Sequence, residues 1–313
     1  MTTPSRLHFS MVDLRGDLGR IFGSVGVAID RPKIVLKARQ ADGLNVSGSR
    51  ADRVRSYAEA ILQSTGLEGG ADIEVSCDIP EHAGFGSGTQ LALAVGAAFS
   101  ELYDLGLSTE EVALRLNRSR RSGVGTYAFD QGGFIVDGGH RVDSREGIPP
   151  LVFRADVPEG WRFVAGVPDI PNYHHGRVEE EAFKRLGPPP AALIGEISRI
   201  VLLKMIPAVL EADIEAFGEA MTGVDYKFGS FWKEVQGGVF SHPTIEAGIE
   251  FLMKEGALGV GQSSWGPAFY GLTDSAGGSR LSSSLEAFLN EGGRRGTSFV
   301  ARPDNDGALI KVE

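Results

Sequence analysis

Residues 80–99, PEHAGFGSGTQLALAVGAAF, set three closely spaced glycines directly ahead of a long apolar run. From 91 to 99 every position is apolar or glycine, a pattern that predicts a central, rigid helix buried on all sides. Ser87 and Gln90 stand in the S-x-x-Q relation of a capping box, which predicts a helix N-terminus immediately after Gly86. A loop stripped of side chains ahead of a core helix serves one of two ends: a close-packed turn, or an anion brought up to the backbone. The second follows from the unpaired N–H groups and positive dipole of a helix start. The loop lacks the lysine of G-x-x-x-x-G-K-[ST], and its third glycine is misplaced for G-x-G-x-x-G. A helix end contributes only about 0.3–2 kcal/mol toward holding an anion. A diphosphate at this loop therefore also needs Arg, Lys or a divalent metal.

The net charge of −10 argues against a general nucleic-acid binder, because phosphate-backbone affinity rests on clustered Lys and Arg. Local positive groups must meet any anionic ligand. A lone cysteine, Cys77, excludes an internal disulfide framework and a cysteine-based zinc site and suits a reducing cytoplasm. The N-terminal stretch MTTPSRLHFSMVDLRG lacks a signal peptide's apolar core, and no run reaches the length of a membrane span. A cytoplasmic protein with no membrane association is the expectation.

At 313 residues the chain exceeds the usual size of one domain. SRLHFSMV, SVGVAID and IVLKAR read as strands, residues 51–64 as a helix, ADIEVSCDIP as a strand of period two, and GGFIVDGGH as a short strand between glycine turns. A helix over about 109–117 follows a Ser108 cap with acids in its first turn. Pro149–Pro150 marks the expected boundary between residues 1–150 and 151–313. Beyond it come a strand at WRFVAGVP, a helix over 178–186 stopped by GPPP, and a long helical region from 191 to about 221, bent at Pro207. ALGVGQ, AFYGLT, SSLEAFLN and TSFVARP continue the alternation. The composite is an α+β chain of two comparable halves.

PEHAGFGSGTQ resembles the P-x-x-x-G-L-G-S-S motif of the GHMP small-molecule kinases, with Phe85 for the leucine and Gly88 for the second serine. PSRLHFSMVDLRG sits where those kinases begin, and GQSSWGPAFYG sits where their C-terminal glycine motif lies. A closer resemblance is to a divergent branch, the β-ribofuranosylaminobenzene 5′-phosphate synthases, carried by PSRLHF, GRIFGSVGVAI, GFGSGTQLALAVG, RRSGVGTYAFDQGGFIVDGGH and SSWGPAFYG. Many GHMP kinases carry S-G-x-D near the phosphoryl acceptor. This chain has Ser122-Gly123-Val124-Gly125, without the carboxylate. The resemblance implies a GHMP-kinase-like two-domain fold, its N-terminal half like domain 2 of ribosomal protein S5 and its C-terminal half ferredoxin-like.

The activity it implies joins phosphoribosyl pyrophosphate to 4-aminobenzoate or 4-hydroxybenzoate, releasing carbon dioxide and pyrophosphate, in tetrahydromethanopterin biosynthesis. The kinase reading and a non-catalytic nucleotide- or phosphosugar-binding pseudokinase are the alternatives. Magnesium is the implied cofactor, with Asp13 and Asp130 as candidate anchors. Candidate substrate and phosphate contacts are Arg6, Arg20, Gly84, Gly86, Ser87, Gly88, Thr89, Arg121, Ser122, Gly123, Ser263, Ser264 and Gly266. Arg6 and His8 alternate along a predicted strand and share one face. His8, Asp13, His174 and His175 are the candidate catalytic groups, either of the adjacent histidines being placed to take a proton from the para substituent. Arg118 and Arg120 join Arg121 in the densest basic cluster; Trp265 stacks on the aromatic substrate or packs in the core; His140 shapes a turn or packs. A homodimer is the default expectation for a soluble metabolic enzyme.

Overall fold

The computed structural model describes residues 1–170 and 187–312. The helix expected over 178–186 lies outside the described residues, as do His174 and His175.

The first half is a seven-stranded sheet with helices on one side. β1 (Thr2–Asp13) and β2 (Arg20–Ala41) pair antiparallel, and β2 also pairs with β4 (Gly70–Cys77), β5 (Phe134–Asp137) and β6 (His140–Arg141). β3 (Asn45–Gly48) lies parallel to β4, and β7 (Leu151–Ala155) closes the far edge against β5. The two strands expected at SVGVAID and IVLKAR are one continuous strand, β2; residues 30–33, with Pro32 among them, fall out of the pairing with β1, as a residue without an N–H must at a ladder position.

α1 (Ala51–Thr65), α2 (Ser87–Leu102), α3 (Thr109–Arg115) and α4 (Val124–Gln131) cover the sheet. Leu91, Leu93, Val95 and Phe99 of α2 are fully buried, as the apolar run required. At Gly96 an added Cβ would collide with Val112 of α3, so glycine lets the two helices touch. α3 begins on a complete Ser108–Glu111 capping box. The expected Ser87–Gln90 box is absent. Gly86, at φ 80°, is itself the residue before the first turn. Ser87 is therefore already helical, and Gln90 turns inward to donate to Gly125 O at 2.8 Å.

The second half is a four-stranded antiparallel sheet in the order β11 (Gly296–Ala301), β8 (Trp161–Pro168), β10 (Phe269–Asp274), β9 (Gly259–Gln262). The expected bent helix is α5 (Ala191–Ile200), a π-helical turn (Val201–Met205) and α6 (Ile206–Glu211). The wide turn comes just before Pro207, whose missing N–H would otherwise leave a gap in the α-helical ladder. The helix ends at Ala212, in the left-handed region, and α7 (Ile214–Gln236) starts afresh on an Asp213 cap. α8 (Pro243–Lys254) and α9 (Gly278–Leu289) complete this half.

The Pro149–Pro150 boundary falls one strand early. β7 still belongs to the first sheet, and the C-terminal segment returns to it through Thr2 with Leu309 and Ile29 with Pro303. One apolar cluster contains Leu7, Phe9 and Leu91 of the first half together with Phe163, Phe217 and Tyr270 of the second.

Candidate active site

The start of α2 is lined with backbone donors and flanked by two arginines. Thr89 and Gln90 donate to Gly86 O, while the Gly86, Ser87 and Gly88 amides make no backbone hydrogen bond among the described residues. Three consecutive N–H groups at a helix start form an anion nest. The Arg6 guanidinium lies against Gly86, where an added Cβ would meet its Cγ at 3.2 Å and its Nε at 3.3 Å. Its Nη1 donates to Gly84 O, and its backbone N–H donates to Phe85 O at 3.1 Å. No carboxylate of the described residues pairs with it. Arg6 keeps some solvent contact, yet burial of its charge lowers its pKa to about 10. It is still a cation at neutral pH. Arg118 approaches from the other side, 3.5 Å from the Cβ position of Gly88 and stacked on Tyr57, whose hydroxyl reaches Gly88 O at 3.4 Å.

The loop between β9 and β10 seals this cradle from the second half. Ser263 is fully buried, accepting from His8 N at 3.0 Å and donating to Gly84 O at 2.7 Å. Ala268 N donates to Ala83 O, Ser264 N to His8 O, and Gly266 N to Ser263 O. Gly84, at φ 95°, has no room for a side chain: a Cβ would stand 2.5 Å from Ser263 O. Ser263 is thus spent on joining the two halves, and Ser264 is the exposed hydroxyl of the pair.

His8 is buried beside Arg6, and desolvation, reinforced by the Arg6 charge, lowers its pKa to about 3. Such a ring is neutral, and it is too weak a base for proton abstraction near pH 7. The His8 backbone joins the two halves, its N–H donating to Ser263 Oγ and its carbonyl accepting from Ser264 N. Asp13 accepts from Arg15 N at 2.6 Å and Gly16 N at 3.1 Å, capping the β1–β2 turn. Asp130 sits at the far end of α4 from Gly125, accepting from Thr109 Oγ1 at 2.6 Å and Gln131 Nε2 at 3.0 Å. Asp13 and Asp130 are not gathered into a metal cage. Among the described residues no three His, Cys, Asp or Glu side chains converge to hold a metal. The described residues do not fit a protein-held magnesium ion.

Arg20 spends its guanidinium on Gly138 O and Gly139 O, at 2.7 and 2.6 Å, bracing a turn. Ser122 Oγ and Gly123 N donate to Asp137 at 3.3 and 2.7 Å, and Gly139 N donates to its other oxygen at 2.9 Å. Burial pushes the Asp137 carboxyl up to about 6 despite those donors. Asp137, which sequence reasoning missed, thereby holds Ser122-Gly123 at the start of α4; the available signal was a carboxylate ending the apolar run FIVD. Arg121 is half-buried in the same loop, and Arg120 pairs outward with Asn117. His140 is buried with Nε2 2.7 Å from Ser119 O, so it packs against the Ser119 segment. Gly125 faces Thr89, its Cβ position 3.3 Å from Thr89 Cγ2. The S-G-x-D acid of the kinases would stand beside the cradle, and here it is missing.

The model of the GHMP kinases N terminal domain matches residues 52–138, and that of the GHMP kinases C terminal matches residues 205–291. The chain is 35% identical to the beta-ribofuranosylphenol 5′-phosphate synthase of Archaeoglobus fulgidus, over 100% of this chain and 99% of that protein. It is 32% identical to the synthase of the same name from Methanothermobacter thermautotrophicus, over 96% of this chain and 98% of that one. Among solved structures, L. major mevalonate kinase in complex with R-mevalonate superposes with a TM-score of 0.73 at 17% identity, covering 98% of this chain and 96% of that one. The two glycine loops and the cradle between them therefore sit on a GHMP-kinase fold, and the chain belongs to the beta-ribofuranosylphenol 5′-phosphate synthase family of that superfamily.

Proposed function

We propose that the chain condenses phosphoribosyl pyrophosphate with 4-hydroxybenzoate or 4-aminobenzoate to give a ribosyl-arene 5′-phosphate, carbon dioxide and pyrophosphate, a step of tetrahydromethanopterin biosynthesis. The observation that carries this reading is Arg6, a desolvated cation with no carboxylate partner among the described residues, set against an N-terminal nest. Its unmatched charge and the free amides suit the diphosphate of the donor. The printed name of the relatives, a ribosyl phenol phosphate, supports an aromatic acceptor.

In this reaction the C1–O bond of the donor breaks with its electron pair leaving on pyrophosphate. The ring carbon bearing the carboxylate forms the new bond to C1. The carbon–carboxylate bond then breaks, returning its electron pair to the ring and releasing carbon dioxide. Charge builds on the leaving oxygen, where Arg6, Arg118 and the amides of residues 86–88 would meet it, and pre-placed donors are worth most where water is excluded. The join between Ser263 and Gly84 would hold the donor cradle in place against the second half, so that two reactants bound there would keep one relative position. Magnesium, if used, would ride on the diphosphate oxygens, as it commonly does with phosphorylated substrates.

The test uses the purified protein with magnesium, phosphoribosyl pyrophosphate and carboxyl-labelled 4-hydroxybenzoate or 4-aminobenzoate. Labelled carbon dioxide and pyrophosphate are expected in equal amounts. No label from either acid, with ADP formed from ATP and a small alcohol, would transfer the chain to the kinases.

A further inference from the structure

Next to the cradle lies a cavity walled by aromatic rings, reaching from His8 and Ser264 inward to Asp225. Phe228, Trp232, Phe240 and Trp265 form its sides, the two tryptophans meeting edge to face at 4.9 Å between ring centroids. Such walls suit a flat, apolar body. The inner end is polar. Asp225 is only 7% exposed and is the one carboxylate among the described residues lining the cavity. Its Oδ2 accepts from Gln262 N at 2.5 Å, and its other oxygen has no partner among the described residues. Behind it the Tyr270 hydroxyl is fully buried and also unpartnered. Both approach the backbone of Gly261, whose Cβ would stand 2.5 Å from Asp225 Oδ2 and 2.6 Å from the Tyr270 hydroxyl. Of the two only Asp225 lines the cavity, so it is the Asp225 carboxyl that calls for a hydrogen-bonding partner from outside.

We propose that this cavity is the subsite for the aromatic acceptor and that Asp225 selects its para substituent by hydrogen bonding to it. The proposal rests on the synthase reading for the identity of the acceptor. A para-substituted benzoate is apolar along its faces and polar at both ends, as the cavity is. With its substituent at Asp225, its carboxylate end points to the mouth, where Ser263 links His8 to Gly84 and so to Arg6. Burial raises the Asp225 carboxyl well above the usual carboxylate range, so a neutral or hydrogen-bonding substituent is favoured beside it over a second anion.

The position was hidden in the sequence, but not without a trace. Met221, Asp225, Gly229 and Trp232 recur at helical spacing along the buried face of α7. A carboxylate on such a face is out of place unless something meets it.

The experiment measures dissociation constants of benzoate, 4-hydroxybenzoate and 4-aminobenzoate by quenching of tryptophan fluorescence, which Trp232 and Trp265 should report. The wild-type protein is expected to bind 4-hydroxybenzoate about ten-fold or more tighter than benzoate, the scale of one buried hydrogen bond. Asp225→Leu should erase that ratio. Asp225→Asn keeps an oxygen for Gln262 N and turns an amide N–H₂ toward the ligand. It should move the preference about ten-fold from the amine toward the hydroxyl, which can accept. Ratios unchanged in a folded Asp225→Asn protein, or no wild-type response to any benzoate at millimolar concentration, would overturn the subsite. Turnover with unchanged ratios would sink the subsite and leave the synthase reading standing. The expected ratios without turnover would do the reverse.

Discussion

His8 shows how one buried residue can couple the site to proton concentration. Its folded pKa of about 3 lies below the ordinary histidine value because burial and the Arg6 charge oppose protonation. The unfolded chain therefore takes up this proton first as pH falls. The stability tied to neutral His8 is complete above about pH 6.5 and is lost down toward pH 3, on the order of 5 kcal/mol in all. Asp137 acts in the opposite sense: with its folded pKa raised to about 6, its contribution is complete below about pH 4 and is lost as pH rises through 6. The two oppose one another between pH 4 and 6, so a wild-type profile alone is uninformative. The difference between wild type and His8→Gln isolates the histidine, because Asp137 is common to both. Urea unfolding from pH 7 to pH 4 should show wild type losing up to about 1.4 kcal/mol per pH unit relative to the variant. A pH-independent difference would mean that His8 is not held neutral by its surroundings.

Within the glycine loop, neighbouring glycines serve different ends, and they should respond oppositely to alanine. Gly84 combines φ 95° with a Cβ position 2.5 Å from Ser263 O, so Gly84→Ala strains the backbone and forces the join between loops apart. A left-handed non-glycine residue alone costs about 1–2 kcal/mol. Gly88 lies within α2 and its Cβ would meet only Arg118 Nη1, at an ordinary 3.5 Å. Gly88→Ala should stabilise by about 0.5–1 kcal/mol through helix propensity. Thermal unfolding of the two variants decides it, and equal losses in both would defeat the distinction. The contrast also marks what the sequence made legible. The apolar run foretold α2, and Ser108 with its acids foretold α3, since both signals are local. α4 was missed because Gly123 gives it no capping side chain. The capping box at Ser87 was misread because a glycine in the left-handed region displaces the cap by one residue. The partner of Gly84 could not be read at all: Ser263 lies 179 positions away, and no local pattern encodes that contact. Asp225 was passed over for a related reason, since its meaning comes from the loop and cavity beside α7 rather than from its own helix.

At the scale of the molecule the two sheets belong to one packing unit. Phe9 of β1 sits 6.4 Å from Phe163, 6.1 Å from Phe217 and 5.5 Å from Tyr270 between ring centroids, all three from the second half. The C-terminal segment returns across the first sheet, where Leu309 N donates to Thr2 O at 2.8 Å and Asp304 N to Ala28 O at 3.0 Å. The boundary suggested by Pro149–Pro150 thus separates segments of chain but does not divide the core. Chains of this length often unfold domain by domain. Here loss of either half would expose the aromatic cluster of the other and dismantle the anion cradle, which needs Arg6, Gly84 and Ser263 together. Differential scanning calorimetry should therefore give one transition, with calorimetric and van't Hoff enthalpies in agreement. Phe9→Ala, which removes a ring buried to 1% exposure, should cost about 3–5 kcal/mol and lower that single transition by roughly 5–8 °C. Two resolved transitions in wild type, or a variant in which only one half melts early, would show that the halves are stable apart and that the cradle is assembled from independently folding parts.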